Sequence, residues 1–155
     1  METSPSTRKT SLTGVKPTGV THLGNYLGAI RPALRLTRDY QGVNFIADYH
    51  ALTSERNPKA LRSAIHDVTA TWLAAGLDPA TTLLYRQSDF AQVFELAWIL
   101  SCVVATGQLE RGHAYKDAIA KGNDAPNAGI FYYPVLMAAD IMLYDTNVVP
   151  IGADQ

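Results

Sequence analysis

The sequence holds one cysteine, Cys102, so no intrachain disulfide can close. A small secreted scaffold stapled by disulfides is thereby excluded. Cys102 lies in an apolar run and reads as a buried small hydrophobe rather than a nucleophile. This cysteine usage points to a reducing compartment, the cytoplasm. Long hydrophobic runs are also missing. None reaches the roughly 18 residues of a membrane span, because charges and prolines interrupt every candidate. The first ten residues, METSPSTRKT, lack the apolar core of a secretory signal and read as a disordered polar tail. Neither sign of charge dominates, with a net charge of -1. Contact with nucleic acid would therefore need a local patch. Arg111, His113, Lys116 and Lys121 form only a modest basic cluster. No internal repeat is present. What remains is an ordinary globular composition, 47% hydrophobic and 17% charged over 155 residues, enough for one domain with a real core.

The pattern alternates between strands and helices. Ser11–Val15 reads as a buried strand running into a Lys16-Pro17-Thr18-Gly19 loop. Gly24 to about Tyr40 is helical in period, with a kink expected near Gly28–Arg31 because Pro32 removes a hydrogen bond and crowds the preceding turn. Asn44–Asp48 is a second strand. Asn57-Pro58 caps a helix running to Ala75, with Leu61, Ile65, Val68, Trp72 and Leu73 inward and Gly76 as its stop. Thr82–Arg86 is a third strand. Ser88 or Asp89 is placed to cap an apolar helix over Phe90–Thr106, ended by Gly107. A helix over Gln108–Ala120, a loop over Gly122–Ala128, a helix from Tyr133 to about Tyr144 and a strand over Asn147–Ile151 complete the reading. Strands separated by helices of this length imply crossover units and a parallel sheet, hence an α/β fold. In such sheets ligands bind beyond the carboxyl ends of the strands. The segments to inspect are Lys16–Asn25, Asp48–Thr53, Gln87–Asp89 and Gly152–Gln155.

In the first of these, small residues let backbone approach a ligand, and a helix start offers unpaired N–H groups to an anion. His22 and Asn25 stand three residues apart on one face of the first turn. Spacing alone favours a plainer reading, a helix start that Asn25 caps with His22 exposed. Context shifts the weight. His22-Leu-Gly-Asn25 resembles the HIGH signature of class I aminoacyl-tRNA synthetases. Five blocks in order resemble the tryptophan branch of that family: Thr13–Gly19, Gly24–Ile30, Asp48–Thr53, Tyr133–Tyr144 and Val149–Gln155.

The resemblance implies a Rossmann-like nucleotide-binding fold over residues 11–155, the first half of such a catalytic domain. By the same resemblance, His22 and Asn25 contact the ATP phosphates, Gly24 admits the adenine ring, and Lys16 and Thr18 lie alongside. Asn25 stands where the signature often ends in His, and Lys16 where many bacterial relatives carry Gln. Gly152 and Asp154 match a ribose-binding turn. Asp140, a charge within the apolar run Met137–Leu143, is implied to accept the indole N–H of tryptophan; the alternative is a carboxylate paired with a buried arginine or capping a turn. Met137, Val149 and Ile151 are implied to line the indole pocket, or else to be plain core. Tyr133 and Gln155 are implied to hold the polar end of the amino acid, and His50 to touch tryptophan or close over it. Lys16, Tyr133 and His50 each have a structural alternative, respectively an exposed loop, a core tyrosine and a structural histidine.

The implied activity is ATP-dependent activation of L-tryptophan to its adenylate, then transfer to tRNA(Trp), with Mg2+ accompanying ATP and no protein metal site. The family is usually a homodimer, and the apolar Phe90–Val104 stretch suits burial against a partner or in the internal core equally. Its Lys-Met-Ser-Lys-Ser loop and anticodon-binding helices are not among these 155 residues. The chain therefore reads as a fragment, expected to have little or no complete aminoacylation activity alone. Rival readings are a tyrosyl-specific relative, a nucleotidyltransferase acting on small molecules, and a non-catalytic or regulatory paralogue.

Overall fold

Three runs become strands: β1 (Thr10–Val15), β2 (Gln41–Ile46) and β3 (Leu83–Arg86). They pair in parallel, in chain order, in the computed structural model, which describes residues 8–120 and 126–151. Helices fill the crossovers, so the chain has the expected α/β, Rossmann-like architecture. The fourth expected strand, Asn147–Ile151, is reduced to one parallel bridge between Val148 and Ser11. Leu12 N–H donates to Val148 O at 2.9 Å, and Val148 N–H donates to Thr10 O at 3.1 Å. Since β2 occupies one edge of β1, Val148 must lie on the other. The chain thus winds outward from β1 to β3 and then returns past β1. That reversal is the topological switch point.

Alternation along the strands sends side chains to two cores. On one face Val15 and Ile46 pack with Ile30, Ala33, Val68, Trp72 and Leu77. On the other Leu12, Val43, Phe45, Ala47 and Tyr85 pack against Ile141 and Tyr144. Helix α4 (Pro58–Ala74) supplies Val68 and Trp72 to the first core. Its start is fixed as the sequence predicts, with Asn57 Oδ1 accepting from Lys59 N–H and Ala60 N–H. Leu73, expected inward, is exposed, one position round from the buried Trp72.

The kink expected near Gly28–Arg31 takes a specific form. Helix α1 (Leu23–Asn25) passes into a π-helical turn, Tyr26–Ile30, and then into α2 (Arg31–Leu36). Arg31 N–H reaches back five residues to Tyr26 O. Pro32 then falls in the first turn of α2, where its missing N–H costs little.

Other boundaries differ. β2 begins earlier than predicted and ends at Ile46; Asp48 opens a short helix, α3 (Asp48–Ala51). Ser88 and Asp89 do not cap a helix at Phe90. They lie in a 3-10 turn, Gln87–Asp89, and α5 spans Gln92–Ser101 with Ala91 at its start. Cys102 sits at the end of α5 and is exposed, so the expectation of a buried thiol was wrong; the apolar run continues past the helix on its outer side. Gly107 does not terminate a helix but lies within α6 (Thr106–Leu109), and Gly112 separates α6 from α7 (His113–Ala120). The last helix, α8 (Ala128–Leu143), starts a turn and more before Tyr133, because Asn127 Oδ1 caps it through Ile130 N–H at 3.1 Å. Pro134 is therefore inside the helix. The expected loop from Gly122 falls partly, and the polar tail mostly, outside the described residues. Among the described residues, no helix is long and apolar enough to cross a membrane.

Candidate functional site

Polar side chains gather just beyond the carboxyl ends of the strands. After β2, the Asp48 carboxylate accepts from Ser88 N–H at 3.0 Å, from Ser88 Oγ–H at 2.5 Å and from its neighbour Tyr49 N–H at 3.1 Å. This clamp fixes the turn after β3 against the start of α3. A line of contacts then crosses the sheet end. Lys16 Nζ donates to Thr53 Oγ1 at 3.0 Å, and Thr53 Oγ1–H donates to His50 O at 2.8 Å. His50 Nε2 lies 3.1 Å from Asp140 Oδ2. Gln87 Nε2 lies 2.9 Å from Asp140 Oδ1 and 2.8 Å from Oδ2. Asn127, which caps α8, also donates through Nδ2 to Thr53 O at 3.0 Å. The start of α8 is thus tied to the segment that carries His50.

Asp140 is 2% exposed and is not paired with arginine. Its donors are a neutral amide and an imidazole. A carboxylate offers about four lone-pair directions, so the pair of oxygens retains acceptor capacity. Lys16 is exposed as a residue, but partial burial of its ammonium lowers its pKa below the usual lysine value.

Helix spacing explains what surrounds Asp140. Met137, Asp140, Ile141 and Tyr144 follow Tyr133 at four, seven, eight and eleven positions, one stripe of α8 and its C-cap. The lower part of that stripe, Ile141 and Tyr144, packs on the sheet. Asn147 N–H bonds Thr10 O at the amino end of β1, so α8 runs back from the carboxyl ends towards the amino ends. Tyr133 and Met137 therefore overlie the carboxyl ends. Met137, Val149 and Ile151 are exposed although apolar. Val149 and Ile151 follow the Val148 bridge, and Gly14 of β1 is also exposed. A β-carbon on Gly14 would come within 2.5 Å of the Phe45 ring, so this strand position has no room for a side chain.

A cavity of about 500 Å³ is walled by residues that include Tyr49, His50, Phe94, Trp98 and Tyr133. His50 and Tyr133 stand with ring centroids 6.4 Å apart. Asp140, Met137, Val149 and Ile151 do not line this cavity. The candidate site is the Asp140 group, a buried acceptor at the carboxyl ends of the strands with exposed Met137 three residues before it on α8. The α5 cavity opens among exposed apolar side chains and has the character of a surface for another molecule.

His22 and Asn25 form a separate group. His22 Nδ1 accepts from Gly24 N–H at 3.1 Å, and Asn25 Oδ1 accepts from His22 N–H at 3.0 Å. This is a reciprocal capping box. The cap is His22 rather than the expected Asn25, while His22 is exposed as the plainer reading has it. A β-carbon at Gly24 would lie 2.9 Å from the His22 ring. Thr18 in the preceding loop and Gly24 in α1 are both exposed. Among the described residues, no hydrogen bond joins His22 or Asn25 to the Asp140 group. Gly152, Asp154 and Gln155 lie outside the described residues. Gln87, a buried polar residue after β3, joins the group with no sequence signal beyond its place in the Gln87–Asp89 segment. Among the described residues no group of three or more His, Cys, Asp or Glu is placed to hold a metal ion.

A parallel sheet covered on both faces, with polar residues collected at a switch point, defines an α/β protein of the nucleotide-binding type. A family model described as tRNA synthetases class I (W and Y) matches residues 5–155, and the chain belongs to that family. The tryptophan-tRNA ligase of Fusobacterium nucleatum is 48% identical over 147 residues, which cover 95% of this chain and 45% of the relative. The solved tryptophanyl-tRNA synthetase from Campylobacter jejuni complexed with ADP and tryptophan is 46% identical with a TM-score of 0.87, covering 94% of this chain and 46% of that one. A tyrosyl-tRNA synthetase from Archaeoglobus fulgidus, 17% identical over 94% of this chain and 46% of its own, shares the fold with a TM-score of 0.77. The chain spans about half the length of the curated relatives it matches.

Proposed function

We propose that this chain supplies the tryptophan site and part of the ATP site of a tryptophan-tRNA ligase. The observation that carries the reading is Asp140, a buried acceptor on an apolar run of α8, held by Gln87 and His50. Tryptophan's indole offers one donor and no acceptor, so an acceptor set among apolar surfaces suits it. Met137, Val149 and Ile151 would contact the ring, and His50, Tyr133 and Gln155 the rest of the amino acid. ATP, brought in as its Mg2+ complex, would meet His22, Asn25, Lys16 and Thr18 through its phosphates, with Gly24 under the adenine and Gly152 and Asp154 at the ribose. The tryptophan carboxylate attacks the α-phosphate, pyrophosphate leaves, and the adenylate then acylates the terminal ribose of tRNA(Trp). No side-chain nucleophile is needed; alignment and charge stabilisation do the work. Such an enzyme works in the cytoplasm.

The test uses the complete product of the gene, titrated with tryptophan and with tyrosine and assayed for tryptophan-dependent exchange of pyrophosphate into ATP. Tryptophan is expected to bind ~100-fold or more tightly than tyrosine, since a site built around one polar contact rejects ligands that mismatch it. Equal affinities, or exchange that does not depend on tryptophan, would overturn the assignment.

A homodimer belongs to the same proposal. α5 exposes Phe94, Trp98, Ile99 and, just beyond it, Val103, with Trp98 at 72% and Val103 at 80%. So large an apolar face is unusual on a monomer. Trp98→Glu is expected to convert a dimer to a monomer by sedimentation velocity; an unchanged mass would rule out this face.

A further inference from the structure

We propose that Gln87 is a positioning residue for specificity: it locks the Asp140 carboxylate so that one oxygen, Oδ1, is left to accept from the amino-acid ring. The inference rests on the reading of Asp140 as the indole acceptor.

Gln87 is 1% exposed. A buried amide is costly unless its groups are bonded. The backbone N–H of His50 lies 3.3 Å from Gln87 Oε1. A backbone N–H can only donate, so the oxygen of the amide must face it. The NH2 group is then directed at Asp140, where it contacts both carboxylate oxygens at 2.9 and 2.8 Å. One planar group bridging both oxygens resists rotation of the carboxylate. His50 adds its Nε2 contact to Oδ2 alone. Oδ2 therefore meets two donors and Oδ1 one. With two lone pairs on each oxygen, the unused direction belongs to Oδ1.

The connectivity has a second consequence. Gln87 bonds the backbone of His50 and the side chain of Asp140, while the His50 ring bonds the same carboxylate. The three residues close a ring across the ends of β2, β3 and α8. Asp48 steadies it through Ser88, the neighbour of Gln87. A carboxylate without Gln87 would turn about its terminal bond and present either oxygen. It would then distinguish less sharply between ring donors of different geometry and rings with none.

The experiment compares tryptophan with benzothienylalanine, in which sulfur replaces the indole N–H, binding to the complete gene product. The readout is the ratio of the two affinities. Wild type is expected to favour tryptophan by ~100-fold or more. Gln87→Met keeps length and loses both donors; the ratio is expected to fall about tenfold, the scale of one misplaced hydrogen bond. In an Asp140→Ala background, Gln87→Met should leave the ratio where Asp140→Ala alone sets it, since the two act as one unit. If Gln87→Met weakens both amino acids equally, the residue is merely structural and the proposal fails while the Asp140 reading survives. If wild type itself does not separate the two ligands, the Asp140 reading fails and this inference with it. Thermal melts show which variants fold. Should Gln87→Met not fold, Gln87→Glu, of the same shape, retains the acceptor for His50 N–H and replaces the donor. It too must lower the ratio, and an unchanged ratio overturns the proposal.

Discussion

Asp140→Ala is expected to weaken tryptophan binding ~100-fold or more in the complete gene product, the penalty for a ligand N–H left buried without an acceptor. The fold should survive. Two effects on stability oppose each other. Removing the carboxylate leaves Gln87 Nε2 and His50 Nε2 without their acceptor, at about 1–3 kcal/mol each. It also removes a charged group from a site that is 2% exposed, which relieves a desolvation cost. The net loss should be no more than about 3 kcal/mol, within the reserve of an ordinary domain. Asp140→Asn sharpens the test. Asparagine has one acceptor oxygen, yet three donors converge here: Gln87, His50 and, on the proposed function, the indole. Whichever way the amide turns, its NH2 group opposes a donor. Asp140→Asn should therefore lose tryptophan affinity nearly as far as alanine, despite its similar shape. Calorimetric titration measures the affinity, and thermal denaturation reports the fold. Full affinity in either variant would remove Asp140 from the site.

The sequence made some of this legible because the deciding forces were local. The Asn57 cap with Pro58, the buried strand over Ser11–Val15 and the break forced by Pro32 each depend on neighbours within a few residues. The α5 region was illegible for a physical reason. Residues from Phe90 to Val104 are apolar on nearly every side, so periodicity marks neither the ends of the helix nor its outer face. Cys102 consequently looked like core but is exposed, and the outward position of Trp98 was equally unmarked. The early start of α8 was hidden because Pro134 marks a first turn in most helices, whereas here the Asn127 cap outweighs one lost hydrogen bond. At the site, Asp140 stood out as a charge in an apolar run. Its partners did not, because Gln87 is 53 positions away and His50 is 90. Such pairings are decided by the crossing of strands, which no local pattern records. His22 and Asn25 were conspicuous as a motif, yet their hydrogen bonds here are those of any capped helix start.

Trp72→Ala is expected to cost about 3–5 kcal/mol, a large share of the roughly 5–15 kcal/mol that holds a typical domain together. Trp72 is 0% exposed and packs with Val15, Ile46 and Val68 in the core between α4 and the sheet. Alanine would leave a large void beneath β2, the strand that leads into Asp48 and His50. Trp72→Phe should behave quite differently. Trp72 Nε1 is buried with no hydrogen-bond partner among the described residues. Phenylalanine deletes that unpaired donor along with some ring volume, so gain and loss partly cancel and the net cost should be about 1–2 kcal/mol. Urea unfolding followed by circular dichroism distinguishes the two, read from midpoints at a common slope. The tryptophan affinity of folded Trp72→Phe should match wild type, because the substitution lies on the opposite face of the sheet from α8. A Trp72→Ala protein less than about 1 kcal/mol below wild type, short of the range for a buried aromatic, would show that this core does not carry the fold.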